Sequence, residues 1–191
     1  MSKSVEFFFD YVSPYSYLAD FQLTSFNNIE IIYRPILLGA VMQATNNKPP
    51  GIIPSKGIYI AKDLELWSRH YGIPFSLNSI FPQNTLTALR LAIACQREDN
   101  FQLIHQAFFK AMFVDNLDLN NTDILRDILN QQQLNSDELI IKASESSIKD
   151  ELKRNTNEAV ARGAFGAPTF FIDGEMFFGN DRLDFIRTKL L

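Results

Sequence analysis

Residues 5–16, VEFFFDYVSPYS, place an apolar, strand-like run directly before a segment with helical spacing. Pro14 suits the first turn of a helix, because an N–H there has no helical partner and proline lacks one. Ser13 precedes it and is therefore the predicted N-cap. Free backbone N–H groups and the helix dipole stabilise an anion near such a position. The stretch thus predicts a strand, a turn and a helix whose N-terminus carries a serine hydroxyl.

The residues that follow predict half of a mixed sheet and then a set of helices. Residues 14–26 predict a helix and residues 29–33 a second strand. A strand, a helix and a strand of this size form a right-handed parallel crossover. Residues 45–55 are rich in Asn, Pro and Gly and predict a loop. Residues 58–161 show helical spacing and predict a compact bundle in which the recurring aromatic side chains form core.

The C-terminal residues predict the other half of the sheet. Residues 169–172 and 175–178 are short apolar runs joined by Asp173-Gly174, a dipeptide suited to a tight hairpin turn. They supply the antiparallel edge of the predicted sheet. Residues 181–191 predict a final amphipathic helix. Its apolar side chains available for packing are Leu183, Phe185, Ile186 and Leu190.

The composition excludes several classes of protein. An apolar share of 46% in 191 residues favours a globular core over disorder. The formal net charge is −4 and no basic stripe is present, so nucleic acid is not an expected partner. No apolar run approaches the roughly 20 residues of a membrane helix, and no membrane partner is expected. The N-terminal residues lack the features of a secretory signal, so we expect a cytoplasmic protein.

The cysteine and histidine content argues against a thiol or metal site of the protein's own. Cys95 is the single cysteine, so neither an intramolecular disulfide nor a cysteine-based zinc site can form. Its apolar neighbours predict a buried helical thiol rather than a reactive nucleophile. His70 and His105 lie in helical patterns and are interpreted as surface or packing residues. No metal site is expected.

Residues 9–19, FDYVSPYSYLA, resemble the N-terminus of two related families, the kappa-class glutathione transferases and the bacterial 2-hydroxychromene-2-carboxylate isomerases. An ordered set of motifs at both ends of a chain is a specific signal. The similarity continues in order through Arg34-Pro35, NNKPPG at 46–51, Lys56-Gly57, Asp63, Ile73-Pro74, GAFGAPT at 163–169 and FGNDR at 178–182.

The resemblance implies the fold. Both families belong to the DsbA-like branch of the thioredoxin superfamily, so we expect an α/β, thioredoxin-like fold with an inserted all-helical domain. On this interpretation residues 1–57 and 147–191 form the thioredoxin-like, glutathione-binding domain. Residues 58–146 form the inserted helical domain. The resemblance also implies a homodimer.

Ser13 and Ser16 occupy the positions of the Cys-x-x-Cys pair of redox-active relatives. A serine hydroxyl cannot form a disulfide and does not ionise near neutral pH. The natural interpretation is that the sulfur arrives on a ligand, and the resemblance implies that this ligand is glutathione. Ser13 is then the catalytic residue, because its hydroxyl donates a hydrogen bond to the glutathione sulfur and favours the thiolate. Ser16 is interpreted as structural.

The resemblance assigns the remaining glutathione contacts to both ends of the chain. Ala167-Pro168 is expected to be cis and to offer its backbone to a peptide-like ligand. Asn180 and Asp181 would hold the α-ammonium and α-carboxylate of the γ-glutamyl group. Asn47 matches a position that contacts glutathione, and Tyr15 would cover the ligand.

A second substrate, a small electrophilic or aromatic compound, needs its own pocket. An aromatic carboxylate would bind to a cation and an apolar wall. Each candidate for this pocket could equally be a surface charge or a packing residue. The candidates are Arg34, Lys48, Lys56 and Trp67.

The sequence therefore predicts an enzyme that uses a glutathione thiolate on a small organic substrate. The activity predicted first is that of a 2-hydroxychromene-2-carboxylate isomerase, in which the thiolate adds reversibly to an unsaturated ring and leaves after bond rotation. A kappa-class transferase would use the same residues, conjugating or reducing electrophiles, and would retain an adduct. The non-enzymatic alternative is a thioredoxin-like peptide-binding module that kept the proline groove and lost the chemistry.

Overall fold

Within residues 3–190, which the computed structural model describes, four strands form one sheet. None of the helices in this range combines the length and apolar character needed to cross a membrane. The elements, in chain order, are β1 (Ser4–Phe9), α1 (Pro14–Leu23), β2 (Glu30–Pro35), α2 (Leu38–Ala44), α3 (Pro54–Tyr71), α4 (Leu86–Gln96), α5 (Phe101–Phe113), α6 (Thr122–Gln131), α7 (Ser136–Ala143), α8 (Ser146–Ala161), β3 (Thr169–Ile172), β4 (Glu175–Phe178) and α9 (Leu183–Leu190).

The strands lie in the order β2-β1-β3-β4. β1 pairs with β2 in parallel, with Phe7 opposite Tyr33. It pairs with β3 antiparallel, with Phe7 opposite Phe170. β3 and β4 form a hairpin at Asp173-Gly174, whose φ angles are 50° and 81°. The predicted parallel crossover and antiparallel edge are confirmed.

An aromatic core packs against one face of the sheet. Phe7 stacks on Phe170 with ring centroids 5.0 Å apart, and on Phe9 at 5.2 Å. Phe9 extends this core into α5, where its ring meets Phe101 and Phe109. All five side chains are buried. The aromatic residues of α5 therefore form core, as their helical spacing predicts.

The other face of the sheet carries a smaller core beneath α2 and α8. Phe8 and Phe171 meet edge to face, with centroids 5.4 Å apart. The Arg162 guanidinium lies 3.8 Å from the centroid of the Phe171 ring and pairs with Glu6 at 2.7 Å. Because successive side chains of β1 point to opposite faces, both faces need apolar residues. This explains the unbroken apolar run at residues 7–9.

Several helix boundaries differ from the predicted ones. The sequence analysis does not predict α2, whose first N–H, from Leu38, donates to the buried Asp10 carboxylate at 2.8 Å. α3 begins at Pro54, inside the predicted loop. The final helix begins at Leu183, two residues later than predicted, because Asn180–Arg182 form a 3₁₀ turn. Residue 191, the predicted end of that helix, lies outside the described residues.

The prediction that Phe185 is available for packing in the final helix is wrong, because the residue is 59% exposed. The buried residues of α9 are Leu183, Ile186 and Leu190, which recur at helical spacing on one side. An α-helix turns about 100° per residue, so the residue beside Ile186 points away from that side.

Replacing Phe7 with Ala is expected to lower the free energy of unfolding by about 3–5 kcal/mol, because it removes a buried aromatic ring from the centre of the sheet. Equilibrium urea denaturation measures the loss. Phe185→Ala removes the same ring from an exposed position and is expected to change stability by no more than about 0.5 kcal/mol. Equal losses in the two variants would contradict this assignment of the core.

Candidate functional site

Ser13 caps the N-terminus of α1, as the sequence predicts. Its backbone is extended, with φ −88° and ψ 110°, and its Oγ accepts a hydrogen bond from the Ser16 N–H at 3.1 Å. The same hydroxyl donates to the Ala167 carbonyl oxygen at 3.0 Å. Only 4% of Ser13 is exposed. The hydroxyl therefore lies where the helix N-terminus meets the loop before β3.

The loop before β3 packs against the β3–β4 hairpin. Its Ala167-Pro168 peptide bond is cis, which confirms the sequence prediction. The Thr169 hydroxyl donates to the Gly166 carbonyl oxygen at 2.8 Å. A Cβ on Gly166 would lie 2.8 Å from the Phe178 ring, so glycine permits this close approach. These contacts fix the position of the Ala167 carbonyl group, which accepts the hydrogen bond from Ser13.

Asn47 belongs to the same cluster, although it is far away in the sequence. Its Nδ2 donates to the Phe165 carbonyl oxygen at 2.9 Å, and its Oδ1 accepts from the Lys48 N–H at 2.9 Å. Both bonds lie at the surface. The side chain therefore ties the loop between α2 and α3 to the proline loop.

Asn180 and Asp181 lie in the 3₁₀ turn before α9 and differ in exposure. Asn180 is 3% exposed, and its carbonyl oxygen accepts from Gln22 Nε2 on α1 at 3.1 Å. Its Nδ2 lies 3.5 Å from the Tyr71 hydroxyl. Asp181 is exposed, and its carboxylate lies 3.2 Å from the Arg182 guanidinium. The amide is a fixed part of the structure, whereas the carboxylate is accessible to a ligand.

Tyr15 joins the first turn of α1 to α3. Its hydroxyl donates to Asp63 Oδ2 at 2.8 Å. Burial raises the pKa of Tyr15 above its ordinary value, and the hydrogen bond to Asp63 and the negative charges of Asp63 and Asp181 act in the same direction. Tyr15 is therefore a neutral hydroxyl with a fixed orientation, two residues from Ser13.

One face of α3 completes this region. The sequence analysis assigned no role to two residues of this face, Asp63 and Tyr71. Asp63 and Tyr71 contact Tyr15 and Asn180 respectively. Trp67 lies between them in the helix and stacks on Tyr71, with ring centroids 5.2 Å apart. Residues 63, 67 and 71 are four apart and share a helix face. That spacing is the signal by which the sequence could have identified them.

The other second-substrate candidates are scattered. Lys48 follows Asn47 in its loop, and Lys56 lies in the first turn of α3; both are exposed. Arg34 pairs with Glu158 of α8, and its guanidinium lies 5.4 Å from the centroid of the Phe8 ring. This places Arg34 on the sheet face opposite to α1. The structure does not bring it to Ser13.

Cys95 and His105 are buried packing residues, as the sequence predicts. Burial raises the pKa of the Cys95 thiol to about 12, and the nearby Glu98 carboxylate acts in the same direction. His105 is completely buried, with Nδ1 at 3.0 Å from the Tyr11 hydroxyl and Nε2 at 2.9 Å from Asp20 Oδ1. Neither residue contacts Ser13. The site therefore contains a hydroxyl, backbone groups and carboxylates, but no thiol.

Comparisons with known proteins agree with this architecture. A model of the DSBA-like thioredoxin domain matches residues 4–191. The chain is 29% identical over 197 residues to the 2-hydroxychromene-2-carboxylate isomerase of Sphingobium xenophagum, and the match covers 100% of both. It is 33% identical over 207 residues to glutathione S-transferase kappa 2 of Caenorhabditis elegans, covering 95% of this chain and 88% of that protein.

A solved structure of a 2-hydroxychromene-2-carboxylate isomerase superposes with a TM-score of 0.89 and 25% sequence identity. The superposition covers 97% of this chain and 93% of that one. The similarity thus includes the helices between β2 and β3 as well as the sheet. The expected thioredoxin-like α/β fold and the family resemblance are confirmed.

The Cys95 thiol is expected to react with an aromatic disulfide reagent only after unfolding. A pKa of about 12 leaves about one thiol in 10⁴ ionised at pH 8, and the side chain is buried. Absorbance time courses with and without urea measure the rate. Ser144→Cys, at an exposed position, is the control whose added thiol reacts at once in the folded protein. Fast reaction of the folded wild type would contradict the assignment.

Proposed function

This chain belongs to the DsbA-like thioredoxin domain family, and we propose that it acts as a glutathione-dependent isomerase of the 2-hydroxychromene-2-carboxylate isomerase type. The observation that carries the proposal is the Ser13 hydroxyl, held at the N-terminus of α1 and directed at the Ala167 carbonyl group. Serine at this position needs a ligand's sulfur for thiol chemistry, because Cys95 is buried elsewhere. Relatives named as isomerases and as glutathione transferases support this choice.

Ser13 is the proposed catalytic residue. Its hydroxyl turns from the Ala167 carbonyl oxygen to the sulfur of bound glutathione and donates a hydrogen bond to it. A hydrogen bond to the charged form of an acid favours that form, so the thiol pKa falls. The positive end of the α1 dipole acts in the same direction. The thiolate of bound glutathione is then its main form at a lower pH than for free glutathione in water.

The backbone of the proline loop is the proposed contact for the middle of glutathione. Glutathione is peptide-like and can pair with the backbone beside Pro168 as an added strand. Asn47, bonded to the Phe165 carbonyl group, borders the same loop. Tyr15 lies in the first turn of α1 beside Ser13, where its half-buried ring covers the ligand.

The 3₁₀ turn before α9 is the proposed contact for the γ-glutamyl end. The exposed Asp181 carboxylate pairs with the α-ammonium group, whereas backbone N–H groups at the start of α9 favour the α-carboxylate. Asn180 is held against α1 by its bond with Gln22 and supports the turn. One end of the ligand then lies on the turn and its sulfur lies at Ser13.

The proposed reaction consumes no glutathione. The thiolate adds reversibly to an unsaturated bond of the substrate ring, the ring opens and rotation about the former double bond follows. Expulsion of the same thiolate restores the double bond in its new geometry. Glutathione is therefore a cofactor, and the site has to hold the thiolate before addition and after expulsion. The half-buried, stacked rings of Trp67 and Tyr71 offer an apolar wall for an aromatic substrate.

A kappa-class transferase reaction is the second candidate, and the 33% identity to a glutathione S-transferase kappa favours it. The distinguishing measurement uses glutathione at a small fraction of the concentration of a 2-hydroxychromene-2-carboxylate. Conversion of many substrate molecules per glutathione, up to the equilibrium mixture, supports the isomerase. Accumulation of a glutathione adduct with an electrophile such as a chlorinated dinitrobenzene, without isomerisation, supports the transferase.

Three further assignments belong to the same proposal. We propose that the protein acts in the cytoplasm, as the sequence analysis expects. The family resemblance further implies that it works as a homodimer and that it has two domains. Residues 58–146 form a helical domain inserted into the thioredoxin-like domain of residues 1–57 and 147–191. Size-exclusion chromatography with light scattering tests the dimer.

Ser13→Ala is expected to raise the pKa of bound glutathione, because the donor to the sulfur is lost while the ligand contacts remain. Thiolate absorbance as a function of pH measures the shift, and titration calorimetry measures the dissociation constant. Ser16→Ala is the matched control, since its Oγ is buried without a hydrogen-bond partner and its N–H to Ser13 is kept. An unchanged titration in Ser13→Ala would remove Ser13 from the mechanism, and absence of saturable binding by the wild type would favour the peptide-binding alternative.

Asp181→Asn is expected to weaken glutathione binding by about tenfold, which corresponds to the loss of one accessible ion pair of about 1.4 kcal/mol. The pKa of the bound thiol should change much less, because the carboxylate binds the other end of the ligand. Asp184→Asn removes an exposed charge from the adjacent turn of α9 and serves as the control. A normal dissociation constant in Asp181→Asn would overturn the assignment.

A further inference from the structure

A buried carboxylate holds the turn between β1 and α1. Asp10 is 1% exposed, and its Oδ1 accepts from the Val12 N–H at 3.1 Å and from the Thr85 hydroxyl at 2.5 Å. Its Oδ2 accepts from the Leu38 N–H at 2.8 Å. A carboxylate removed from water needs such donors, because the cost of burying it is otherwise large. Asp10 therefore joins the end of β1, the start of α2 and the residue before α4.

The same residue sets the backbone that leads to Ser13. The Ser13 N–H donates to the Asp10 carbonyl oxygen at 3.0 Å, and the Val12 N–H donates to the Asp10 side chain. Two of the three N–H groups after Asp10 thus bind Asp10 itself. The position of Ser13 therefore depends on the position of Asp10. This matters because a hydroxyl that stabilises a thiolate has to be placed to within a fraction of an ångström.

Thr85 uses its hydroxyl in an unusual way. It is the N-cap residue of α4, where a threonine side chain normally accepts a hydrogen bond from the first turn of its own helix. No such bond is present, and the hydroxyl donates to Asp10 instead. The side chain is 2% exposed. The Asn84 side chain accepts from the Leu86 N–H at 3.1 Å, so the Thr85 hydroxyl is left to bond with the turn.

We propose that Asp10 and Thr85 are positioning residues for Ser13: the Thr85 hydroxyl holds the Asp10 carboxylate, and Asp10 holds the turn that directs the Ser13 hydroxyl at the glutathione sulfur. This inference rests on the proposed function of Ser13. Neither residue touches the ligand. The helical part of the chain that carries Thr85 thereby influences the acidity of a thiol bound beside the turn after β1.

Removal of the Thr85 hydroxyl is expected to raise the thiol pKa through the geometry of the turn. The turn loses one of its anchors, so the Ser13 hydroxyl is less well aligned with the sulfur. Burial raises the pKa of Asp10 and the Thr85 hydrogen bond acts in the opposite direction, so loss of that bond does not add negative charge beside the sulfur. Replacement of Asp10 by Asn is less informative, because it removes a charge and misaligns the turn, with opposite effects on the thiol pKa.

The test compares Thr85→Val, which keeps the shape of the side chain, with Thr85→Ser, which keeps the hydroxyl. In Thr85→Val the pKa of bound glutathione should rise by about half a unit or more, which lowers the ratio of thiolate to thiol about threefold at a given pH. The dissociation constant should stay within about twofold, because the ligand contacts are unchanged. Thr85→Ser should restore the wild-type titration. If Thr85 had only a structural role, Thr85→Val would weaken glutathione binding and lower stability together. The pKa of bound glutathione would then not rise while the dissociation constant stayed the same.

Circular dichroism and thermal unfolding establish that each variant is folded, and Thr85→Ala replaces Thr85→Val if the latter is not. An unchanged thiol pKa in a folded variant without the hydroxyl overturns the inference, provided that Ser13→Ala shifts it. Failure of the proposed function gives a different result: the wild type then shows no saturable glutathione binding, or Ser13→Ala leaves the thiol pKa unchanged. Either of those outcomes overturns the positioning role together with the function.

Discussion

A carboxylate buried in a protein must be matched by hydrogen-bond donors, and at Asp10 this requirement brings three separate parts of the chain together. The donors come from the following turn, from the first residue of α2 and from Thr85 before α4. Because the Asp10 side chain is buried, moving the end of β1 would leave its carboxyl group without partners. The turn that carries Ser13 therefore has one defined conformation, and the rest of the site is built on it.

Tyr11, the residue after Asp10, is also anchored by a side-chain hydrogen bond to a distant helix. The Tyr11 hydroxyl lies 3.0 Å from His105 Nδ1 on α5, and His105 Nε2 lies 2.9 Å from Asp20 Oδ1 on α1. Burial raises the pKa of Tyr11 well above its usual value, which keeps the hydroxyl a donor. Asp10 and Tyr11 thus bind different helices on the two sides of the turn. The helices between β2 and β3 are part of what holds Ser13 in place, in addition to covering the sheet.

The single cysteine of the chain has a packing role, whereas the position suited to thiol chemistry carries a serine. The cysteine of the chain lies in a helix where burial keeps its pKa high, whereas the helix N-terminus that would acidify a thiol carries a serine. That hydroxyl is bonded on one side to its own helix and on the other to the proline loop. Such a position can accept a sulfur atom from a ligand and release it again, because the protein makes no covalent bond to it.

Local sequence determined the features that depend on neighbouring residues. The Ser13 cap follows from Pro14, the hairpin from Asp173-Gly174, and the buried state of Cys95 from its apolar neighbours. Tertiary structure alone decided the position of Arg34 under α8, the exposure of Phe185, the bond of Tyr15 to Asp63 and that of Thr85 to Asp10. The reason is physical: turns and caps are stabilised within a few residues. The partners of such side chains can be distant in the sequence: Tyr15 and Asp63 are 48 residues apart, and Thr85 and Asp10 are 75 residues apart. Sequence spacing does not predict pairs at these separations.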